Sequence, residues 1–200
     1  MDDKSNEITA IPELLDHLNL KGATVTIDAM GTQKDIVRKV RQKKADYVLT
    51  LKGNAGKLYE EVMLFFDDPK VLAECAYHKT TQKDRGCLEV REYWQSDRVG
   101  WLPQRKDWVG LCSLVMVCSM VTKSDGMVVV ARRYFISSLP LGVVEVARAV
   151  RSHWMVEVVH WCLDVVFGED GCRVFDRVSA FNLNILQVGV ECASVVCCWL

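Results

Sequence analysis

Hydrophobic residues along the chain recur first at helical spacing, then in unbroken β-branched runs, and the two patterns alternate. Leu14, Leu15 and Leu18 form an apolar stripe over residues 9 to 18, with Thr9 placed to cap and Pro12 in the first turn, so this stretch is predicted as a helix. "GATVTID" follows as a buried strand that ends at Asp28, where "AMGTQ" breaks the run. "TQKDIVRKVRQKKAD" has Ile36, Val37 and Val40 on one face and basic residues on the other, the pattern of a surface helix. "DYVLTLK" is a second buried strand, and "GNAGKLYEEVMLFFDDP" a helix closed by Pro69. Two strands about 20 residues apart with a helix between them imply parallel neighbours joined by a crossover.

After Pro69 the period changes. Residues 70 to 84 are polar and are expected to form a loop. "LEVREYWQSD" alternates in part, "WVGLCSLVMVCSMV" is a long strand-like run, and "KSDG" supplies turn chemistry before "MVVVARRYFISSL". Residues 109 to 136 therefore read as a hairpin. Strands in succession after an alternating section suggest a β insertion in an α/β fold. From Val143 the helical period returns and runs into "RSHWMVEVVHWCLDVVFGED". There His153, Glu157, His160 and Asp164 fall four, three and four residues apart, one stripe of ionisable groups beside a broad apolar face. Such a stripe on a buried helix calls for a metal, a substrate or opposing charges.

Composition narrows the function classes. The net charge of −1 gives no whole-protein field toward nucleic acid, although a neutral total can hide a basic patch such as "KDIVRKVRQKK". The nine cysteines show no C-x-x-C pair, which argues against a zinc finger and for reduced thiols in a cytoplasmic protein. The N-terminus is acidic and polar, unlike a signal peptide. In "LNILQVGVECASVVCCWL" the polar residues Asn184, Gln187, Glu191 and Ser194 recur on one helix face, which favours an amphipathic helix over a membrane span.

Asp28 stands at a strand end, where ligands of open α/β sheets bind, and with a helical carboxylate such as Glu157 it would make an oxygen-rich site for Mg²⁺ or Mn²⁺. Alternatives stay open at this point. Asp28 can be a turn residue, Glu157 can pair with His153 or His160, and the basic helix face can be solvated surface. Glu157-x-x-His160 is also half of a di-iron bundle motif, but a second copy is missing and the β-α-β section contradicts a bundle.

The stretches "KSNEITAIPELL", "VTIDAMGTQ", "YVLTLKGN", "RRYFISSL" and "RSHWMVEVVHWCLDVVFGED" resemble, in order, the H-repeat-associated proteins, insertion-sequence transposases of the DDE type. The resemblance implies a partial RNase H-like fold, a β-α-β core with helices interrupted by an antiparallel β insertion. It divides the chain into residues 1–69 (core, first part), 70–140 (insertion) and 141–200 (helical completion). It implies DNA cleavage and strand transfer at transposon ends with Mg²⁺ or Mn²⁺, Asp28 and Glu157 being catalytic, metal-ligating carboxylates. Lys52, Asn54, Arg151 and His153 match family positions and would lie near DNA, together with Lys34, Arg38, Arg41 and Lys44 of the basic helix. This chain carries Val158 where the family has Asn, and Arg85 and Cys87 where it has His and Arg, while Glu89 and Arg91 agree. The family's first catalytic Asp lies upstream of "KSNEITAIPELL", so the expectation is an N-terminally truncated transposase, inactive alone. The alternative is a non-enzymatic DNA-binding or regulatory remnant that pairs with itself or with a full-length transposase.

Overall fold

In the computed structural model, residues 7–84, 87–154 and 165 are described. Contacts divide the chain into two units, Met1–Val150 and Arg151–Leu200. In the first unit the elements run α1 (Glu7–His17), β1 (Thr24–Ile27), α2 (Lys34–Gln42), β2 (Asp46–Leu51), α3 (Lys57–Asp67), α4 (Pro69–Glu74), β3 (Ala76–Asp84), β4 (Cys87–Ser96), β5 (Ser113–Thr122), β6 (Val128–Ser137) and α5 (Val143–His153). The last turn of α5 belongs to the second unit.

The six strands form one sheet in the order β1-β2-β6-β5-β4-β3. β1 and β2 are parallel, Thr24 opposite Asp46 and Ile27 opposite Leu49, with α2 as the crossover, as the spacing of the two runs predicts. All other pairs are antiparallel. The predicted hairpin is present as β5 and β6, but it starts at Ser113; residues 109–112 end a loop instead. The strands that follow Pro69 extend the same sheet, because β6 pairs with β2.

Alternation along the strands divides the core between two faces. Tyr47, Leu49 and Leu51 of β2 lie with Ile36, Val37 and Val40 of α2 and Leu58, Val62 and Phe66 of α3. Val48, Val115 and Phe135 point the other way and meet Val146, Ala147 and Val150 of α5. A fully buried Val, Leu, Ile or Phe side chain among these contributes roughly 1.5–3 kcal/mol. β5 is buried at seven successive positions because both faces are covered there, which explains its unbroken apolar run.

Two expectations need correction. Residues 70–84 form α4 and β3, with β3 paired to β4 over its whole length. α4 starts because the Asp68 carboxylate accepts from Lys70 N at 2.9 Å and Pro69 occupies the first helical position. β3 has a described neighbour on one side only, so its side chains can stay polar and the apolar alternation that marks a strand is absent. Thr9 lies inside α1, which begins at Glu7, so it does not cap the helix. Among the described residues no helix is long and apolar enough to cross a membrane. The four described cysteines are free thiols; Cys118 is buried as expected, whereas Cys112 is exposed.

Candidate functional site at the end of β1

The chain leaves β1 through the loop "DAMGTQ", and every polar residue of that loop is tied down. The Asp28 carboxylate accepts through Oδ1 from the backbone N–H groups of Met30 and Gly31, at 3.1 and 3.2 Å. The Thr32 hydroxyl lies 2.9 Å from the carbonyl of Asp28 and 2.8 Å from that of Thr50, so it bridges the loop to β2. Gln33 donates to the Met30 carbonyl, and Asn54, in a 3-10 turn at Gly53–Ala55, donates to the Ala29 carbonyl. Gly31 has no alternative at its position: a Cβ there would stand 2.3 Å from Ile27 Cγ2 and 3.0 Å from Ile11 Cδ1. The motif is a local lock that fixes the ends of two parallel strands together.

The lock leaves Asp28 exposed, and among the described residues its second oxygen, Oδ2, accepts no hydrogen bond. One anionic oxygen held by a fixed turn suits a hard divalent cation. It is one ligand only; no group of three or more His, Cys, Asp or Glu among the described residues could hold a metal. Glu157, expected to face Asp28, lies outside the described residues, as do His160 and Asp164. Arg151 and His153 lie in the last turn of α5, in the second unit, and neither is without a partner.

The cations expected to contact DNA fall into two groups. Lys34 pairs with Asp107 at 2.6 Å, Arg38 with Asp35, and Arg41 with Asp46 and the Ala45 carbonyl. The charge of α2 is thus largely answered by acids of the fold. Lys44 and Lys52 are exposed and enter no ion pair among the described residues. Lys44 adopts φ 58° just past α2, a left-handed turn that ends the helix and turns its chain toward β2. Thr32, Gly31 and Gln33 were not singled out by sequence reasoning, although the "TIDAMGTQ" stretch that contains them was the available signal.

The profile of the family described as "Transposase DDE domain" matches residues 2–190. A protein of Escherichia coli O157:H7 named "Putative transposase YncI" is 40% identical over 92% of this chain and 50% of its own length. "H repeat-associated putative transposase YhhI" of Escherichia coli strain K12 is 38% identical over 92% of this chain and 53% of its own. A Xanthobacter autotrophicus protein, "Uncharacterized protein in dhlA 3'region", is 43% identical over 69% of this chain and 46% of its own. The chain spans about half the length of these curated relatives.

Proposed function

Because the chain belongs to the DDE-domain transposase family, we propose that it contributes part of an RNase H-like core that cuts and joins DNA at transposon ends. The observation that carries this reading is the position of Asp28, exposed at the carboxyl end of a parallel strand with one oxygen spent on its own loop and the other accepting from no donor among the described residues. Asp28 and Glu157 are then the residues of this chain that would hold Mg²⁺ or Mn²⁺. When bound, such ions supply Lewis-acid activation of the attacking oxygen and neutralise charge on the leaving one. The protein's own share is positional. The Thr32 bridge and the Asn54 bond keep the carboxylate at a fixed place relative to β2. Lys44 and Lys52, which enter no ion pair among the described residues, offer charge to the DNA backbone, with Arg151 and His153 assigned to orient a phosphate.

A second reading is a DNA-binding chain without activity that pairs with a full-length transposase or another copy. It is favoured by the outer edge of β1, which has no neighbour among the described strands and could accept an added strand.

Calorimetric titration of Mn²⁺ tests the site. Asp28→Asn keeps an oxygen for the Met30 and Gly31 N–H groups but removes the charge, and Glu157→Gln does the same for the helix. Saturable binding to the parent chain, lost in both variants with unchanged circular dichroism, is the expected result. Binding indifferent to both substitutions would sink the metal-site reading.

A further inference from the structure

The loop between β4 and β5 is divided between anchors and outward-facing groups. Val99, Leu102, Trp108 and Leu111 are buried in the core that α2 and α3 cover. Trp101 and Val109 point outward, 41% and 43% exposed. They line an open cleft of about 790 Å³ that also includes Arg105, Lys106 and Gly110. This is the size of a small-ligand site.

Three observations give the cleft a chemical character. First, Trp101 stacks on Phe65 of α3 with ring centroids 5.0 Å apart and planes 19° from parallel, so the indole has a firm backing and its exposed side remains available. Second, Arg105 and Lys106 are exposed and enter no ion pair among the described residues, whereas the neighbouring Arg98 is answered by Glu74 and Lys34 by Asp107 of the same loop. Third, Gly110, at φ +78°, lies against the Arg41 side chain: a Cβ on it would stand 2.8 Å from Arg41 Nε. The wall of the cleft therefore meets α2 at Arg41, whose guanidinium is itself paired with Asp46.

We propose that this cleft is a single-stranded DNA site, in which a nucleobase stacks on Trp101 and the adjoining phosphates meet Arg105 and Lys106. The inference rests on the DNA-joining reading above and adds to it a place for an unpaired base. A stacked aromatic platform beside uncompensated cations is what a strand without sequence preference requires, since every base has a π-face and every link a charge. Duplex DNA keeps its bases stacked and out of reach of the indole.

The test is fluorescence anisotropy with a labelled short oligothymidylate, an abasic strand of equal length and a duplex. The parent protein is expected to bind the thymidylate about tenfold or more tightly than the abasic strand. Trp101→Ala should remove that preference and Trp101→Phe keep most of it. Replacing Arg105 and Lys106 with Ala should lower the slope of log affinity against log salt by about 1.4, two single-strand phosphate contacts at about 0.7 each. Equal affinity of the parent protein for abasic and base-bearing strands would overturn the proposal, independently of how any variant folds. So would a base preference that survives Trp101→Ala. Duplex binding without a base-dependent component would remove this inference and leave the transposase reading in place; no binding to any of the three DNAs would remove both.

Discussion

Strand β6 passes through two environments. Its first residues, Val128, Val129 and Val130, are 55%, 44% and 57% exposed, while Tyr134, Phe135 and Ile136 are 5% exposed or less. Both halves pair with β5, but β2 flanks only the second, from Tyr134 to Ser137. The halves differ as well in what covers the sheet. Ile136 stands in register between Leu49 and Leu114, in the core that the helices α2 and α3 close. Val130 stands opposite Met120, itself opposite Val90, a row equally apolar in composition and left partly open to water. Strand formation needs only side chains that suit a pleated ladder. Stability follows the area actually removed from water.

The largest effect expected from this contrast is at Ile136. Its replacement by Ala should cost about 2–5 kcal/mol in denaturant unfolding, the range for an aliphatic side chain lost from a closed core. A loss no greater than that of an exposed valine would break the comparison. Next comes the loop that the covered half supports. Gly31→Ala should cost about 1–3 kcal/mol, as overpacking does, because Ile27 Cγ2 occupies the space a methyl needs. In an Ile27→Ala background the same change should cost markedly less, and an unchanged cost would show that the contact is not the cause.

Thr32→Val comes third, at about 1 kcal/mol for a lost internal hydrogen bond. The shape is kept, but the bridge between the Asp28 and Thr50 carbonyls disappears. Thermal unfolding with and without Mn²⁺ separates two roles. A purely structural bridge would lower both melting temperatures equally, whereas a bridge that also positions Asp28 would reduce the metal-dependent increase.

How far the sequence could reveal this depends on where the determining contacts lie. β1, α2 and β2 are legible because each carries its own signal, a β-branched run or a helical stripe, and Asp28 stands where the first run stops. β3 is not, because an edge strand can be polar and the partner that makes it a strand is β4. The charge state of α2 is equally hidden: Lys34 is answered by Asp107, 73 residues away, and no local pattern announces that pairing. The loop that holds Trp101 has no period at all, and the stacking of its indole on Phe65 of α3 joins residues far apart in the chain. The Glu157 stripe, the clearest chemical signal in the sequence, lies outside the described residues apart from His153.

On the uncovered half, Val130→Lys should change stability by no more than about 0.5 kcal/mol, since an exposed position has little burial to lose. It should, however, reduce self-association measured by light scattering, because the open apolar row is interrupted by a charge. A large loss of stability there would mean that something covers the row after all, and the contrast along β6 would have to be redrawn.

The smallest effect concerns how the covering layer is stitched at its rim. Asp16 of α1 accepts a hydrogen bond from Lys39 of α2, and Lys43 donates to the Asp16 carbonyl at 2.7 Å. The Lys39 hydrogen bond, with the nearby positive charges of Lys39, Lys43 and His17, holds the Asp16 carboxyl below its ordinary range. A depressed folded-state pKa means that the stabilising contribution is present above the unfolded carboxylate range and is lost as pH falls through the folded value. Asp16→Asn should therefore lower the melting temperature slightly at neutral pH, and the difference from the parent should close in acid as the parent's own carboxylate is protonated. Added salt should shrink the neutral-pH difference as well, because both partners are reached by solvent. A difference that persisted in acid would assign the effect to packing of α1 instead of charge. Either way it should stay far below that of Ile136→Ala, since the layer is held by the apolar area beneath it and the ion pair only trims its edge.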